Sequence, residues 1–492
     1  MTSLDVRLAV VAALALVSAA GCGGSTTLAG GGTGLGGAGA ELVPASAPLY
    51  FAIDTDLSSD QWQTVDTLLE RFPAKSELLA KLRRSFERKA KVRWEDVEPA
   101  LGDELDIAVL DFERDTNVVA LTRPRDEAKF DDLIAKLNAA SPGRHLVTAT
   151  KSGWTLVADS RAKLERFTGA SGRVLADDAT FKATMGRLAE DALLKAYANG
   201  RDVGDELKRL FPSVPVGQIP GQGHWTSLAG DVTAADEGVK LDLVVEWTPG
   251  YRLDVRPYTA KLPDEVPADV LAFLSFNGPA FEQQLFNASF RAQRSSLGPE
   301  AKALLGLVRR LTPIFENENA LYVRRGALIP EVTLLAQPEK PRAAVRNLKW
   351  FVEMLGALTF TPLLPRPAEV AGTKGWEVSL GRLSISFGAL GRKLFVTDFP
   401  TGLADLTEAG PKLAGDATFE HAKDVSGLPR TNAGFLYVNL KDAIPVIEGY
   451  IRLAGATIPP DVSANLRPLR TLMGYQTTQG RTATFTLFLE IA

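Results

Sequence analysis

The chain reads as an α+β protein of two related halves, each an antiparallel sheet with packed helices. Three observations carry this expectation. Short segments alternate apolar and polar side chains, the period of a half-buried strand. Others repeat apolar residues every three or four positions, the period of a helix with one buried stripe. These helical segments are not spaced regularly between strands, as a parallel βαβ sheet requires. Third, blocks of the first half return in the second in the same order.

The recurrence is specific. Val43-Pro44-Ala45 is matched by Val266-Pro267-Ala268. NVVALTRP, ending at Pro124, is matched by EVTLLAQP, ending at Pro338, and WTLVAD, ending at Asp159, by KLFVTD, ending at Asp398. LADDATF (Leu175 to Phe181) returns as LAGDATF (Leu413 to Phe419). Ala196-Tyr197-Ala198-Asn199 returns as Leu436-Tyr437-Val438-Asn439, and Gly238 with its following strand as Gly480 with its own. The offset drifts between 214 residues, at Pro124 and Pro338, and 242, at Gly238 and Gly480, as insertions in loops produce. Two copies follow, residues 41–250 and 263–492, joined near Thr248-Pro249-Gly250.

At the N-terminus, Arg7 precedes the apolar run Leu8 to Ala20, then Gly21 and Cys22, the only cysteine. The run is shorter than the ~20 residues that span a bilayer and fits the apolar core of a secretory signal. Small residues directly before a solitary thiol resemble a lipobox. The pattern predicts a signal peptide over 1–21 and a diacylglycerol anchor on Cys22; an ordinary signal peptide is the alternative. Residues 22–40, mostly GGSTTLAGGGTGLGGAGA, are expected to form a flexible tether. The literal G-x-G-x-x-G at Gly32, Gly34 and Gly37 lacks the preceding strand and following helix of a phosphate cradle.

Within the copies, Val239, Leu241, Leu243, Val245 and Trp247 alternate with Lys240, Asp242, Val244 and Glu246, predicting a strand with one wet, polar face. Ala483, Phe485, Leu487, Leu489 and Ile491 repeat the pattern, as do Leu383, Ile385 and Phe387. Helical spacing joins Trp62, Val65, Leu68, Leu69 and Phe72; then Leu78, Leu79, Leu82 and Phe86; then Phe130, Leu133, Ile134 and Leu137, with Asp126 as N-cap.

Composition narrows the function. Of 492 residues, 45% are hydrophobic and 23% charged, enough for a sizeable core. Fifty-five basic against 59 acidic side chains give a net charge of −4, too balanced for broad phosphate binding, so no nucleic-acid partner is expected. One cysteine excludes a disulfide framework, and His145, His224 and His421 lie far apart without ligand spacing, so no metal or cofactor is implied. Asp103, Glu104 and Asp106 read as solvated loop carboxylates, since adjacent strand residues point to opposite faces and do not converge. Asp177, Asp178 and Asp416 stand where a helix N-cap belongs, with Phe181 and Phe419 as core anchors. Lys81, Arg83, Arg84, Arg88 and Lys89 ride a helix with an apolar stripe, able to rest on anionic head groups or simply to face water. Phe273, Phe276, Phe281, Phe286 and Phe290 crowd one stretch that packs as core or lines a greasy pocket.

The run VPASAPLYFAIDTD, DQW opening a helix, EDVEPALGDELDIAVLD, and LADDATFKATMGRL resemble a bacterial family of mainly actinobacterial secreted or lipid-anchored proteins, domain of unknown function thirty-three fifty-two. The likeness spans most of the chain after the tether and is clearest from Val43 to Leu188. It implies an envelope location and brings no activity or catalytic residue. The resulting expectation is a non-enzymatic, lipid-anchored binding or structural module on the outer face of the bacterial plasma membrane or in the periplasm, meeting another envelope protein or ligand. The alternative is a carrier of a hydrophobic or lipid ligand in a pocket formed by the sheets. A hydrolase is the least supported reading; no G-x-S-x-G elbow is present.

Overall fold

The computed structural model describes residues 34–112, 117–140, 145–170, 172–200, 203, 224–251, 255–278, 310–327, 329–358, 363–370, 372–381 and 383–492. Residues 1–21, expected from their sequence to be a signal peptide, and Cys22 lie outside the described residues. In the first half the strands are β1 (Leu49–Asp54), β2 (Glu104–Val109), β3 (Val118–Thr122), β4 (Val147–Lys151), β5 (Trp154–Ala158), β6 (Leu194–Asn199), β7 (Trp225–Ala235) and β8 (Gly238–Trp247). In the second they are β9 (Val270–Asn277), β10 (Glu318–Arg324), β11 (Glu331–Ala336), β12 (Arg366–Val370), β13 (Thr373–Leu380), β14 (Leu383–Leu390), β15 (Lys393–Thr397), β16 (Gly434–Asn439), β17 (Leu469–Gln479) and β18 (Thr482–Ile491).

All pair antiparallel into one sheet. Its spatial order is β4-β5-β3-β2-β1-β6-β7-β8 across the first half. It continues β18-β17-β16-β9-β10-β11-β15-β14-β13-β12 across the second. The halves are hydrogen-bonded along β8 and β18, from Glu246 opposite Thr482 to Gly238 opposite Glu490. The α+β class and antiparallel sheets expected from the sequence are therefore present.

The first eight strands and the last ten share several details of pairing, the second set carrying the extra hairpin β12–β13. β1 lies between β2 and β6 as β9 lies between β10 and β16. Pro44 bridges Val174 and Pro267 bridges Lys412. Asp178 accepts from the backbone N–H groups of Thr180 and Phe181, and Asp416 from that of Phe419, so both acids are the N-caps their positions predict. Behind the caps, Phe181 meets Tyr197 edge-on at 4.9 Å and 73°, and Phe419 meets Tyr437 at 5.0 Å and 73°.

In the first half, helices cover both faces of the sheet. On one, the Asp60–Glu70, Lys75–Ala90 and Glu127–Ala140 helices pack Trp62, Leu68, Phe86, Phe130 and Leu133 onto Ile53, Leu105 and Ile107. On the other, the Arg161–Thr168 and Ala179–Met185 helices pack Leu164, Phe167 and Phe181 onto Tyr50, Ala108 and Tyr197. The helical stripes read from the sequence face the core except at Leu78, which is exposed, and Asp126 accepts from Lys129 N at the third helix.

Three local expectations fail. The Gly-rich run does not stay loose to its end: Gly37–Ala40 form a helical turn with Gly39 and Ala40 buried. A Cβ at Gly39 would fall 1.5 Å from Asp106 Oδ2, so this glycine serves close approach rather than freedom. Asp106 itself is not solvated. It stands mid-strand in β2, fully buried under that turn, and neither carboxyl oxygen has a hydrogen-bond partner. Burial first, then neighbouring Glu104, pushes its carboxyl well above the usual range. Finally, β8 departs from the expected polarity at Leu241 and Leu243, although Val245 and Trp247 farther along the same face are buried as expected. Leu241 and Leu243 are 45% and 38% exposed, whereas Val244 on the opposite face is buried.

Candidate binding groove

That exposed leucine pair marks the site. Strands β8, β18, β17, β16 and β9 form the floor of an open groove of about 530 Å³, within the size range of small-molecule sites. Two cross-strand rows build it. Leu241, Leu487, Gly474, Leu436 and Leu274 stand opposite one another in sequence across the five strands. In the neighbouring row Leu243, Phe485 and Gln476 align, and Gly434 pairs Phe276 at the far end. Leu487 is 39% exposed beside the two β8 leucines. Contiguous exposed leucine is unusual on a protein surface and marks a contact site.

The hollow comes from two glycines. Gly434 has φ 130°, and a Cβ there would press to 2.9 Å on Ser275 O. A Cβ at Gly474 would reach the Leu487 side chain at 3.3 Å. None of the described lining residues is charged. The lining hydroxyls are committed elsewhere: Ser275 Oγ with Tyr258 Oη at 2.7 Å, Tyr475 Oη donating to Ser426 O at 3.1 Å, and Thr486 Oγ1 donating to Asp242. Gln476 is 9% exposed and its side-chain Nε2 has no partner.

Of the five phenylalanines singled out in the sequence, Phe276 lines the groove. Phe273 is fully buried on the opposite face, tilted against Phe435 at 5.5 Å, and belongs to the core. Phe281, Phe286 and Phe290 lie outside the described residues. Sequence reasoning missed Gly434, Gly474 and Gln476. Glycine inside an alternating strand was the available signal, since it marks a bulge or a place of close approach.

The basic helix runs Lys75–Ala90. Leu79 and Phe86 face the core, Phe86 meeting Trp94 edge-on at 5.6 Å. Lys81, Arg84, Arg88 and Lys89 are exposed, Arg83 is half-buried, and Leu78 is 44% exposed among the cations. Lys81 also pairs with Glu77 at 2.8 Å.

The carboxylates gather at the end of β1. Arg125 Nη2 bridges Asp56 Oδ1 at 2.6 Å and Asp103 Oδ1 at 2.8 Å. Asp54 accepts from Ser59 Oγ at 2.6 Å and Asp56 N at 2.9 Å, while Ser59 Oγ accepts from Trp62 N to cap the following helix. Desolvation, then the charges of Asp56 and Asp103, raises Asp54 to about 7. The cluster is a helix cap tied to a salt bridge. His145 is exposed, and His224 stacks on Tyr251 at 4.6 Å. His421 has Nε2 3.4 Å from Glu490 and 3.8 Å from Glu237, because the β8–β18 seam joins residues distant in the chain. Among the described residues no group of three or more His, Cys, Asp or Glu is placed to hold a metal ion, and no helix is long and apolar enough to cross a membrane.

No protein-family model matches the chain, and no curated protein matches it. Among solved structures it is similar to crystal forms I, III and IV of TP0453, at 10, 11 and 11% identity. The alignments cover 45, 45 and 42% of this chain and 87, 88 and 79% of the other, with TM-scores of 0.25, 0.23 and 0.23. Overlaps this slight carry no argument about fold or role.

Proposed function

We propose that this protein is exported and lipid-anchored through Cys22 at the cell envelope, on the outer face of the plasma membrane or in the periplasm, and carries a hydrophobic ligand in the β8–β18–β17–β16–β9 groove. The observation that carries the reading is the uncharged, glycine-hollowed floor with three exposed leucines. A leucine side chain moved from water into apolar contact contributes roughly 1.5–3 kcal/mol, so three of them supply a driving force for an apolar guest. The address rests on the N-terminal pattern and on the resemblance to an envelope family. The exposed cations of the Lys75–Ala90 helix support contact with anionic head groups near the anchor. Matched strand connectivity, bridges and caps support descent of both halves from one duplicated unit.

Native mass spectrometry of the protein extracted from its own membrane tests the reading. The expected spectrum shows a diacylglycerol mass on Cys22 and a retained apolar ligand, and Gly474→Leu keeps the first while losing the second. A wild-type protein that never carries ligand refutes the carrier role. A Cys22→Ser variant that resists a carbonate wash refutes the anchor.

A further inference from the structure

The groove asks for more than grease. Gln476 lines it from β17, in line with Phe485 and Leu243, and Gly434 beside it contributes no side chain. Its Nε2 is an unpartnered donor on a residue 9% exposed. A buried donor left without a partner is costly, so an orphan of this kind calls for a physical reason. The other polar side chains of the described lining are satisfied by Tyr258, Ser426 and Asp242. Nε2 is buried beneath the floor, so a guest that draws this amide toward the groove gains one uncommitted donor surrounded by hydrocarbon.

We infer that the ligand is an acyl chain headed by an uncharged carbonyl, an ester or amide of a long-chain acid, and that Gln476 selects it by donating from Nε2 to that oxygen. This rests on the groove being a ligand site. A plain hydrocarbon fills the floor and leaves the donor unsatisfied. A free fatty acid brings a carboxylate to a lining with no cation, and desolvating an unpaired charge costs far more than one amide hydrogen bond returns. A neutral carbonyl satisfies the donor without that penalty.

The test uses the full-length protein in a detergent without acyl esters, incubated separately with methyl palmitate, palmitate and hexadecane delivered from cyclodextrin. Retained ligand is quantified by mass spectrometry. The wild type is expected to hold the ester roughly tenfold more tightly than the hydrocarbon, the worth of one hydrogen bond, and more tightly than the free acid. Gln476→Leu should erase the preference for ester over hydrocarbon while still retaining both. Gly474→Leu should weaken all three together. If Gln476→Leu keeps the ester preference, or the wild type prefers palmitate, the selection by Gln476 is overturned and the groove stands. If the wild type retains none of the three, or Gly474→Leu retains them undiminished, the groove itself is not the site and both readings fall.

Discussion

The substitution Asp54→Asn gives a sharp test of the electrostatics at the end of β1. In the folded protein, burial and the adjacent Asp56 and Asp103 raise this carboxyl from 3.8 to about 7. In the unfolded chain it titrates near 3.9. Between those values the folded state holds a proton that the unfolded state has lost. The stability this group contributes is therefore fully present below pH ~4 and is lost as pH rises through about 7. About three pH units at 1.36 kcal/mol each set a ceiling of about 4 kcal/mol, trimmed by the partial solvent access of the site. The asparagine amide stays neutral at every pH. Its oxygen can still accept from Asp56 N, now 2.9 Å from Asp54 Oδ1, and its nitrogen can donate to Ser59 Oγ. Urea unfolding at pH 5 and pH 8 should show the variant gaining on the wild type by about 2–3 kcal/mol across the interval. If the two midpoints move in parallel with pH, Asp54 is already ionised at pH 5 and the argument is wrong.

Two further outcomes follow from the same geometry. Asp178→Ala and Asp416→Ala each remove a helix N-cap over a buried phenylalanine, and each should lower stability by about 1–2 kcal/mol in denaturant titrations; loss at one site with no loss at the other would show that the two caps do not do the same job. Arg84→Glu with Arg88→Glu reverses charge on the exposed side of the Lys75–Ala90 helix, and sedimentation with anionic vesicles should fall several-fold while far-UV circular dichroism is unchanged; unaltered sedimentation would remove that helix from the membrane contact.

Much of the fold was legible because its signals are local. Alternation fixed β8, β14 and β18, and the Asp-Ala-Thr-Phe blocks announced caps whose hydrogen bonds run to the next two or three residues. The groove was not legible for a reason equally physical. A period of two says which residues share a face but not whether a helix lies over it, and Leu241, Leu243 and Leu487 carry the same pattern as buried strand residues. Asp106 was misread because the turn that covers it, Gly37–Ala40, lies distant in the chain and looked like tether. Phe273 and Phe276 were grouped as one greasy stretch, although an odd separation along a strand sends two side chains to opposite faces. Recognising β9 as a strand separates core residue from groove residue at once.

The seam between the halves has a consequence for how the chain is made. β8 ends at Trp247, and the strand that completes its outer edge begins at Thr482, 235 residues later. At synthesis rates of about 5–20 residues per second, the nascent first half waits on the order of ten seconds to a minute with a long open edge bearing Leu241 and Leu243. Such an edge is a template for pairing with the wrong chain. Any stop codon ahead of Thr482 makes that wait permanent, leaving a truncated product with a raw hydrogen-bonding border where its middle should be.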